Sequence, residues 1–112
     1  MAATATHLPI LVLTHYPDRD AALGLARALV TERLAACVNV GAPVESMYHW
    51  QGKIETAQEV PVTIKTRAAL YPRVEAAIRA SHPFELPEIV AVPLIDGLRP
   101  YLDWLAAETV AP

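Results

Sequence analysis

The sequence predicts an α+β protein with a ferredoxin-like βαββαβ order, an antiparallel four-stranded sheet and a C-terminal helix. Two observations predict this fold. Along the chain, segments whose apolar residues fit a strand alternate with segments whose apolar residues recur at helical spacing. In addition, a long hairpin extends from about Cys37 to about Thr66, with its reversal at Gln51-Gly52. Each arm has roughly 14 residues and reaches roughly 45 Å, whereas a domain of this length has a radius of gyration of about 13 Å. The hairpin is therefore expected to protrude from its own core.

The first elements are a strand and a helix. The continuous apolar run Leu8 to Thr14 predicts a buried strand. Asp18 is the expected N-cap of a helix over Arg19 to about Leu34, where apolar residues recur at helical spacing. Gly24 within this helix suggests close packing against the sheet. Residues Met1 to His7 precede the strand and are expected to form a flexible tail.

The second half predicts a helix, a strand and a final helix. Thr66 to His82 has helical spacing, and its regular part begins near Tyr71 because Pro72 belongs in a first turn. Glu88 to Leu94 predicts the fourth strand, and Pro100 to Glu108 predicts the C-terminal helix. No linker or repeat interrupts the chain, so residues 1–112 are expected to form one domain. Two amphipathic helices would cover one sheet face and leave the other bare in a monomer.

The apolar pattern of the hairpin predicts a bulge. A two-residue loop pairs Trp50 with Lys53, and this register carried inward would set Val38 against Lys65. A shift of one residue gives a consistent apolar face. The shifted pairs are Cys37 with Lys65, Val38 with Ile64, Asn39 with Thr63 and Val40 with Val62. We expect the bulge near Gly41-Ala42-Pro43, where a glycine and a proline permit one.

Composition limits the possible functions. Apolar residues make up 54% of the 112 residues, which fits either alanine-rich, well-packed helices or surface buried between subunits, and the hairpin favours the second. Charged residues of both signs are mixed, the net charge is −3, and no basic stripe indicates a nucleic-acid partner. Apolar stretches are far below the roughly 20 residues of a membrane span. A single cysteine and no signal-peptide pattern predict a cytoplasmic protein.

Motifs of enzymes are absent from the sequence. It has no glycine-rich phosphate loop, no nucleophile elbow, and no HExxH or CxxC motif. The chain is therefore not expected to be an enzyme.

The segment His82 to Glu88 is the first candidate site. It holds an imidazole and two carboxylates on a loop that two prolines stiffen, which favours a ligand or metal site beside a helix end. The alternative is that His82 and a carboxylate only satisfy backbone groups of the turn.

Aromatic and charged residues of the hairpin form a second candidate site. Tyr48 and Trp50 are expected interface anchors, since aromatic residues dominate oligomer contacts. Glu59 and Lys65, with His82, are candidates to line an intersubunit pocket for a small anionic or metal-chelating ligand. The two interpretations are compatible because pockets form where subunits meet.

Cys37 and His49 each allow two interpretations. Facing Lys65, the Cys37 thiol could be acidified into a reactive thiolate, or it could pack on the strand as a small apolar residue. His49, near the hairpin tip, is either a ligand or a half-exposed strand residue.

Five blocks of the chain resemble the CutA divalent-cation tolerance family, in the order and spacing of that family. They are Glu32–Asn39, Tyr48–Lys53, Glu59 with Ile64–Thr66, His82–Glu88 and Tyr101–Leu105. The resemblance extends from about Leu11 to Leu105. It implies a ferredoxin-like fold, a tight homotrimer and a cytoplasmic setting in bacteria. It also implies similarity to the trimeric PII signalling proteins, which bind small ligands in clefts between subunits.

The resemblance also implies a link to metal ions, because copper binding has been assigned to some members. Such members offer a cysteine at the end of the first strand, where this chain has Thr14, and a histidine pair where it has Ser81-His82. Phe84 replaces the usual tyrosine. His82 is then the remaining metal candidate, and His15 could replace the strand-end cysteine. Soft Cu(I) prefers sulfur ligands, and Thr14 supplies none. Copper or another divalent metal is therefore expected to bind weakly, and no cofactor is expected to be obligatory.

These observations predict a trimeric, non-enzymatic binding or signalling module in the response to metal ions. Its partners are sister copies and a metal ion or small molecule, without nucleic acid or membrane. The alternatives are a PII-like sensor of a small metabolite in the intersubunit cleft and a structural trimer that scaffolds another protein. The predicted ligand cleft comprises Cys37, Tyr48, Trp50, Glu59, Lys65, His82 and Glu88, and the predicted metal residues are His82 and His15.

Overall fold

The structure, a computed structural model, describes residues 7–111. Five strands, three α-helices and one 3₁₀ turn follow one another along this range. They are β1 (Pro9–Tyr16), α1 (Arg19–Thr31), β2 (Cys37–Val40), β3 (Val44–Trp50), β4 (Lys53–Arg67), the 3₁₀ turn Ala68–Leu70, α2 (Tyr71–Ser81), β5 (Ile89–Pro93) and α3 (Arg99–Ala107). The predicted tail lies outside the described residues except for His7, whose Nδ1 accepts a hydrogen bond from Arg67 Nη1 at 3.1 Å.

The strands form one antiparallel sheet with the order β2-β4-β1-β5, and β3 pairs with the outer half of β4. This is the strand order of a ferredoxin-like fold, as predicted. The central pairs place Val12 opposite Ile64 on one side and opposite Ala91 on the other. The sheet differs from the expected four strands in one respect: the first arm of the hairpin is divided into β2 and β3, which makes five.

The break in the hairpin is the predicted bulge. Val38 pairs with Ile64 at the base, and Trp50 pairs with Lys53 at the tip. Between these registers, residues 41–43 of the first arm lie opposite only residues 60–61 of β4. The amide of Gly41 donates to the Pro61 carbonyl at 2.9 Å, and a Cβ atom at position 41 would lie 2.9 Å from Pro61 Cγ. The close approach of the two arms therefore requires a glycine here.

Helix α1 begins where the sequence predicts and ends earlier. The carboxylate of Asp18 accepts a hydrogen bond from the Ala21 amide at 2.8 Å, which makes it the N-cap. The helix ends at Thr31 instead of near Leu34 because Arg33 adopts a left-handed conformation with φ of 56°. The Leu34 amide then donates to the Leu29 carbonyl at 2.9 Å, as in a Schellman motif.

The core lies between one sheet face and the helices. Alternate residues of β1 and β4 are buried on this face, and they pack with apolar residues of α1 and α2. The core residues of the two strands are Ile10, Val12, Tyr16, Val60, Val62 and Ile64, and those of the two helices are Ala22, Leu25, Leu29, Val74 and Ile78. Gly24 faces open space, where a Cβ atom would have no neighbour within 4 Å, so the expectation that it marks close packing against the sheet was wrong.

The opposite face of the sheet is uncovered in the single chain. We call this the open face; it comprises Leu11, Leu13, Cys37, Asn39, Thr63, Lys65, Val90 and Val92. The hairpin extends beyond the core, so the chain measures 45 × 26 × 24 Å. At its tip Met47 is 74% exposed and Ile54 is 66% exposed. Among the described residues, no helix combines the length and apolarity needed to cross a membrane.

Candidate functional site

His82 fixes the loop that follows α2. Its Nε2 hydrogen is donated to the carbonyl oxygen of His15 at 2.6 Å, and its Nδ1 accepts a hydrogen bond from the Phe84 amide at 3.1 Å. These two bonds use the single donor and the single acceptor of a neutral imidazole. The side chain is 9% exposed. His82 therefore joins the end of β1 to this loop, which we call the His-Pro-Phe loop (His82 to Glu88). Both ring nitrogens have partners within the chain.

Three rings in tilted contact continue this junction into the core. The ring of His82 lies 4.5 Å from that of Tyr16 and 4.9 Å from that of Phe84, measured between centroids. The Tyr16 hydroxyl is 2.7 Å from Ser81 Oγ. Burial raises the pKa of the Tyr16 phenol, and the hydrogen bond with Ser81 partly opposes this rise. Ser81, where the resemblance implied a histidine in copper-binding members, thus has a structural partner.

His15 reaches the other end of the same loop. Its Nδ1 lies 3.0 Å from a carboxylate oxygen of Glu88, directly before β5 begins. The pair is an ion pair when the imidazole is protonated and a hydrogen bond when it is neutral. The backbone and the side chain of His15 therefore hold opposite ends of one loop.

The structure does not bring a ready metal site together. Within residues 7–111, no group of three histidine, cysteine, aspartate or glutamate side chains is arranged to hold a metal ion. A metal ion at His82 would have to displace the Phe84 amide or the His15 carbonyl from the ring. Thr14, where the resemblance implied a cysteine in copper-binding members, is buried, and its hydroxyl has no hydrogen-bond partner among the described residues. Metal binding by His82 and His15 stays a prediction.

A cleft of about 860 Å³ separates the hairpin from this loop. Its volume lies in the range of small-molecule sites, about 300–1,000 Å³. One wall is β3 with Glu59 of β4, and the other is the segment from Pro83 to Val90 with His15. Four of the seven predicted cleft residues line it, namely Tyr48, Trp50, Glu59 and Glu88.

The other three predicted cleft residues lie elsewhere. Cys37 and Lys65 are directly opposite each other on the open face. The Lys65 ammonium donates to Asn39 Oδ1 at 3.0 Å, and the Cys37 thiol lies 3.8 Å from the same oxygen. His82 is buried behind the loop and does not line the cleft. In the single chain the predicted site therefore separates into the cleft, the open-face group and the buried histidine.

Sequence reasoning missed two features of the cleft. The first is that Phe84, Glu85 and His49, which the sequence placed in separate candidate sites, line it together with the hairpin aromatics. The strand register could have shown that Tyr48 and Trp50 share one hairpin face, but not that the loop lies across a cleft from them. The second is its charge: the carboxylates of Glu59, Glu85 and Glu88 line it, and no lysine or arginine is among its lining residues. Sequence reasoning assigned Lys65 to this pocket and therefore allowed an anionic ligand. The negative charge of the lining residues does not suit such a ligand.

Comparison with known proteins identifies relatives over almost the whole chain. Residues 10–108 match the model of the CutA1 divalent ion tolerance protein family. The chain is 43% identical over 99 residues to the divalent-cation tolerance protein CutA of Thermus thermophilus, an alignment that covers 88% of this chain and 96% of that protein.

Solved structures agree with this similarity. The crystal structure of CutA1 from Oryza sativa superposes with a TM-score of 0.92 at 36% identity, covering 96% of this chain and 99% of that one. The periplasmic divalent cation tolerance protein CutA from Archaeoglobus fulgidus superposes with a TM-score of 0.87 at 34% identity, covering 90% and 98% of the two chains. The predicted resemblance is therefore confirmed: the chain belongs to the CutA1 divalent ion tolerance family.

Proposed function

We propose that this protein is a non-enzymatic homotrimer that acts as a binding or signalling module in the response to divalent metal ions. Its membership of the divalent ion tolerance family supports the link to metal ions. The observation that carries the assembly is the open face together with the apolar hairpin tip. The proposal assigns the protein to the cytoplasm, where its one cysteine, Cys37, would stay reduced.

The single chain exposes apolar surface that assembly would cover. Val90 and Val92 of β5, and Met47 and Ile54 of the hairpin, expose apolar surface on a protruding ribbon and on a sheet face without a cover. Two-stranded ribbons are marginal in water, and unpaired strand edges invite other chains. Sister copies that cover the open face and the hairpin would remove this surface from water. Light scattering that reports a single-copy species at micromolar concentration would contradict the assembly.

The metal part of the proposal is weak binding of copper or another divalent ion, with His82 and His15 as the candidate ligands. Titration with Cu²⁺, Cu⁺ and Zn²⁺ tests it, with His82→Ala compared with the unchanged protein. His49→Ala is the matched control because it removes an imidazole that is not one of the two candidate ligands. Reduced binding in His82→Ala alone supports the ligand role. Equal binding by all three proteins shows that His82 is not a ligand.

A second candidate function is that of a PII-like sensor, in which a small metabolite occupies the cleft between subunits and metal effects are indirect. The cleft of about 860 Å³ supports this candidate. Thermal unfolding in the presence of nucleotides, organic acids and amines tests it, because a ligand of the folded state raises the melting temperature. No shift with any compound would count against this candidate and leave the metal proposal in place.

A further inference from the structure

The charge of the cleft between β3 and the loop after α2 favours a cationic ligand. Three carboxylate residues, Glu59, Glu85 and Glu88, line it, with no lysine or arginine among the lining residues. The Glu88 carboxylate has a partner in His15, whose Nδ1 lies 3.0 Å away. Within residues 7–111, Glu59 and Glu85 have no salt-bridge partner. The cleft therefore holds two carboxylates whose charge nothing in the described chain neutralises.

The aromatic lining narrows the kind of cation. Tyr48, Trp50 and Phe84 line the same cleft and are 40%, 38% and 40% exposed, so ring surface is open to a ligand. Aromatic faces attract ammonium groups, and alkylated ammonium groups in particular, because these cations shed water readily. A bare divalent ion would instead need several converging oxygen ligands, and the described residues hold no such group of three.

We propose that this cleft binds a small alkylammonium compound, with its charged nitrogen over the aromatic side chains and its charge balanced by Glu59 and Glu85. The inference rests on the small-molecule candidate of the proposed function. It requires no metal ion, but it does require that sister copies in the proposed trimer leave the side of the hairpin that carries Tyr48 and Trp50 open to the cleft.

Tryptophan fluorescence provides the test. The chain has two tryptophans, so Trp104→Phe leaves Trp50 in the cleft as the only reporter. Tetramethylammonium chloride is titrated into this protein, with sodium chloride at equal ionic strength as the reference. We expect a saturable change with the ammonium salt and none with sodium.

Two variants test separately how the carboxylate charge and the aromatic rings contribute to binding. Glu59→Gln removes one carboxylate, and Phe84→Leu removes one ring; each is expected to weaken tetramethylammonium binding at least about threefold. Glu45→Gln is the matched control because it removes the same charge from a hairpin residue that does not line the cleft and that pairs with Gln58. This control is expected to leave binding unchanged. If Phe84→Leu does not fold, Glu85→Gln replaces it as a second test of the lining.

Three results would overturn the inference. They are the absence of a saturable change, equal weakening by Glu45→Gln and Glu59→Gln, and displacement of tetramethylammonium by Mg²⁺ more strongly than by sodium at equal ionic strength. The last would show a site for charge alone. If tetramethylammonium does not bind while light scattering reports a trimer and copper binding is intact, only this inference is wrong. A single-copy species that still bound tetramethylammonium would remove only the proposed assembly.

Discussion

The imidazole of His82 donates a hydrogen bond to the carbonyl oxygen of His15 at 2.6 Å across the end of β1. This contact joins residues that are far apart in sequence and places the His-Pro-Phe loop beside the hairpin. The carboxylate of Glu88 then meets the His15 side chain at 3.0 Å. Of the two histidines predicted as metal ligands, His15 therefore lines the cleft, and His82 holds the loop that forms its wall from behind.

Replacement of Thr14 with valine should stabilise the protein. Thr14 is 1% exposed, and its hydroxyl has no partner among the described residues, so folding removes this group from water without compensation. Thr14→Val, which keeps the shape of the side chain, is expected to raise the free energy of unfolding by about 1 kcal/mol. Urea denaturation at a fixed protein concentration measures it, because the stability of an oligomer depends on concentration.

The matched control is Thr66→Val, since the Thr66 hydroxyl is equally buried but donates to the Leu34 carbonyl at 2.6 Å. This change should lower the free energy of unfolding by about 1–2 kcal/mol. Changes of the same sign in the two variants would contradict the explanation.

An alanine at position 41 should destabilise the hairpin. The added Cβ atom would lie 2.9 Å from Pro61 Cγ, a contact that forces the two arms apart at the bulge. Gly41→Ala is expected to lower the free energy of unfolding by about 1–3 kcal/mol. Gly24→Ala is the control: this helix position has open space around it, so the change should raise stability by up to about 1 kcal/mol. Thermal unfolding of both variants compares them, and a neutral Gly41→Ala would show that the bulge can relax.

A charge on the open face should weaken the proposed trimer. Val92 of β5 is 42% exposed on that face, and Val30 of α1 is 45% exposed on the helical side. If sister copies cover the open face, Val92→Asp buries an unpaired carboxylate and should raise the concentration at which the oligomer dissociates at least about tenfold. Val30→Asp should leave it unchanged. Light scattering over a dilution series measures both; equal behaviour of the two variants would place the interface elsewhere.

Stability should decline in alkaline solution partly because of Tyr16. Burial raises the pKa of this phenol in the folded state above its ordinary value, so the folded state holds the proton more tightly than the unfolded chain. The corresponding stability is complete below the unfolded pKa of about 10 and is lost as the pH rises through the higher folded value. Urea denaturation between about pH 8.5 and 11 should therefore show a shallower decline for Tyr16→Phe. An unchanged slope would mean that ionisation of Tyr16 does not contribute.

The register of the hairpin shows how far local pattern can predict structure. Pairing valines with apolar partners placed Val38 opposite Ile64 and located the bulge at residues 41–43, as the structure has it. This succeeds because side chains alternate between faces in a strand, so one register alone buries the apolar set. The end of α1 was placed too late because the left-handed turn at Arg33 has no glycine to mark it.

The cleft shows where such prediction stops. Of the residues predicted to share a site, Tyr48, Trp50, Glu59 and Glu88 line one cleft, whereas Lys65 and Cys37 lie on the open face. Sequence spacing could not separate the two groups, because the distance between the hairpin and the loop depends on how His82 and His15 meet.

The sequence by itself determined the order of the elements, the strand register and the family, because these depend on local periodicity and on blocks of residues at fixed spacing. Only the tertiary structure decided that His82 is held by hydrogen bonds on both nitrogens, and that carboxylates and aromatic rings surround one cleft. The physical reason is that hydrogen-bond partners and local charge arise from segments distant in the chain, and their meeting is set by packing.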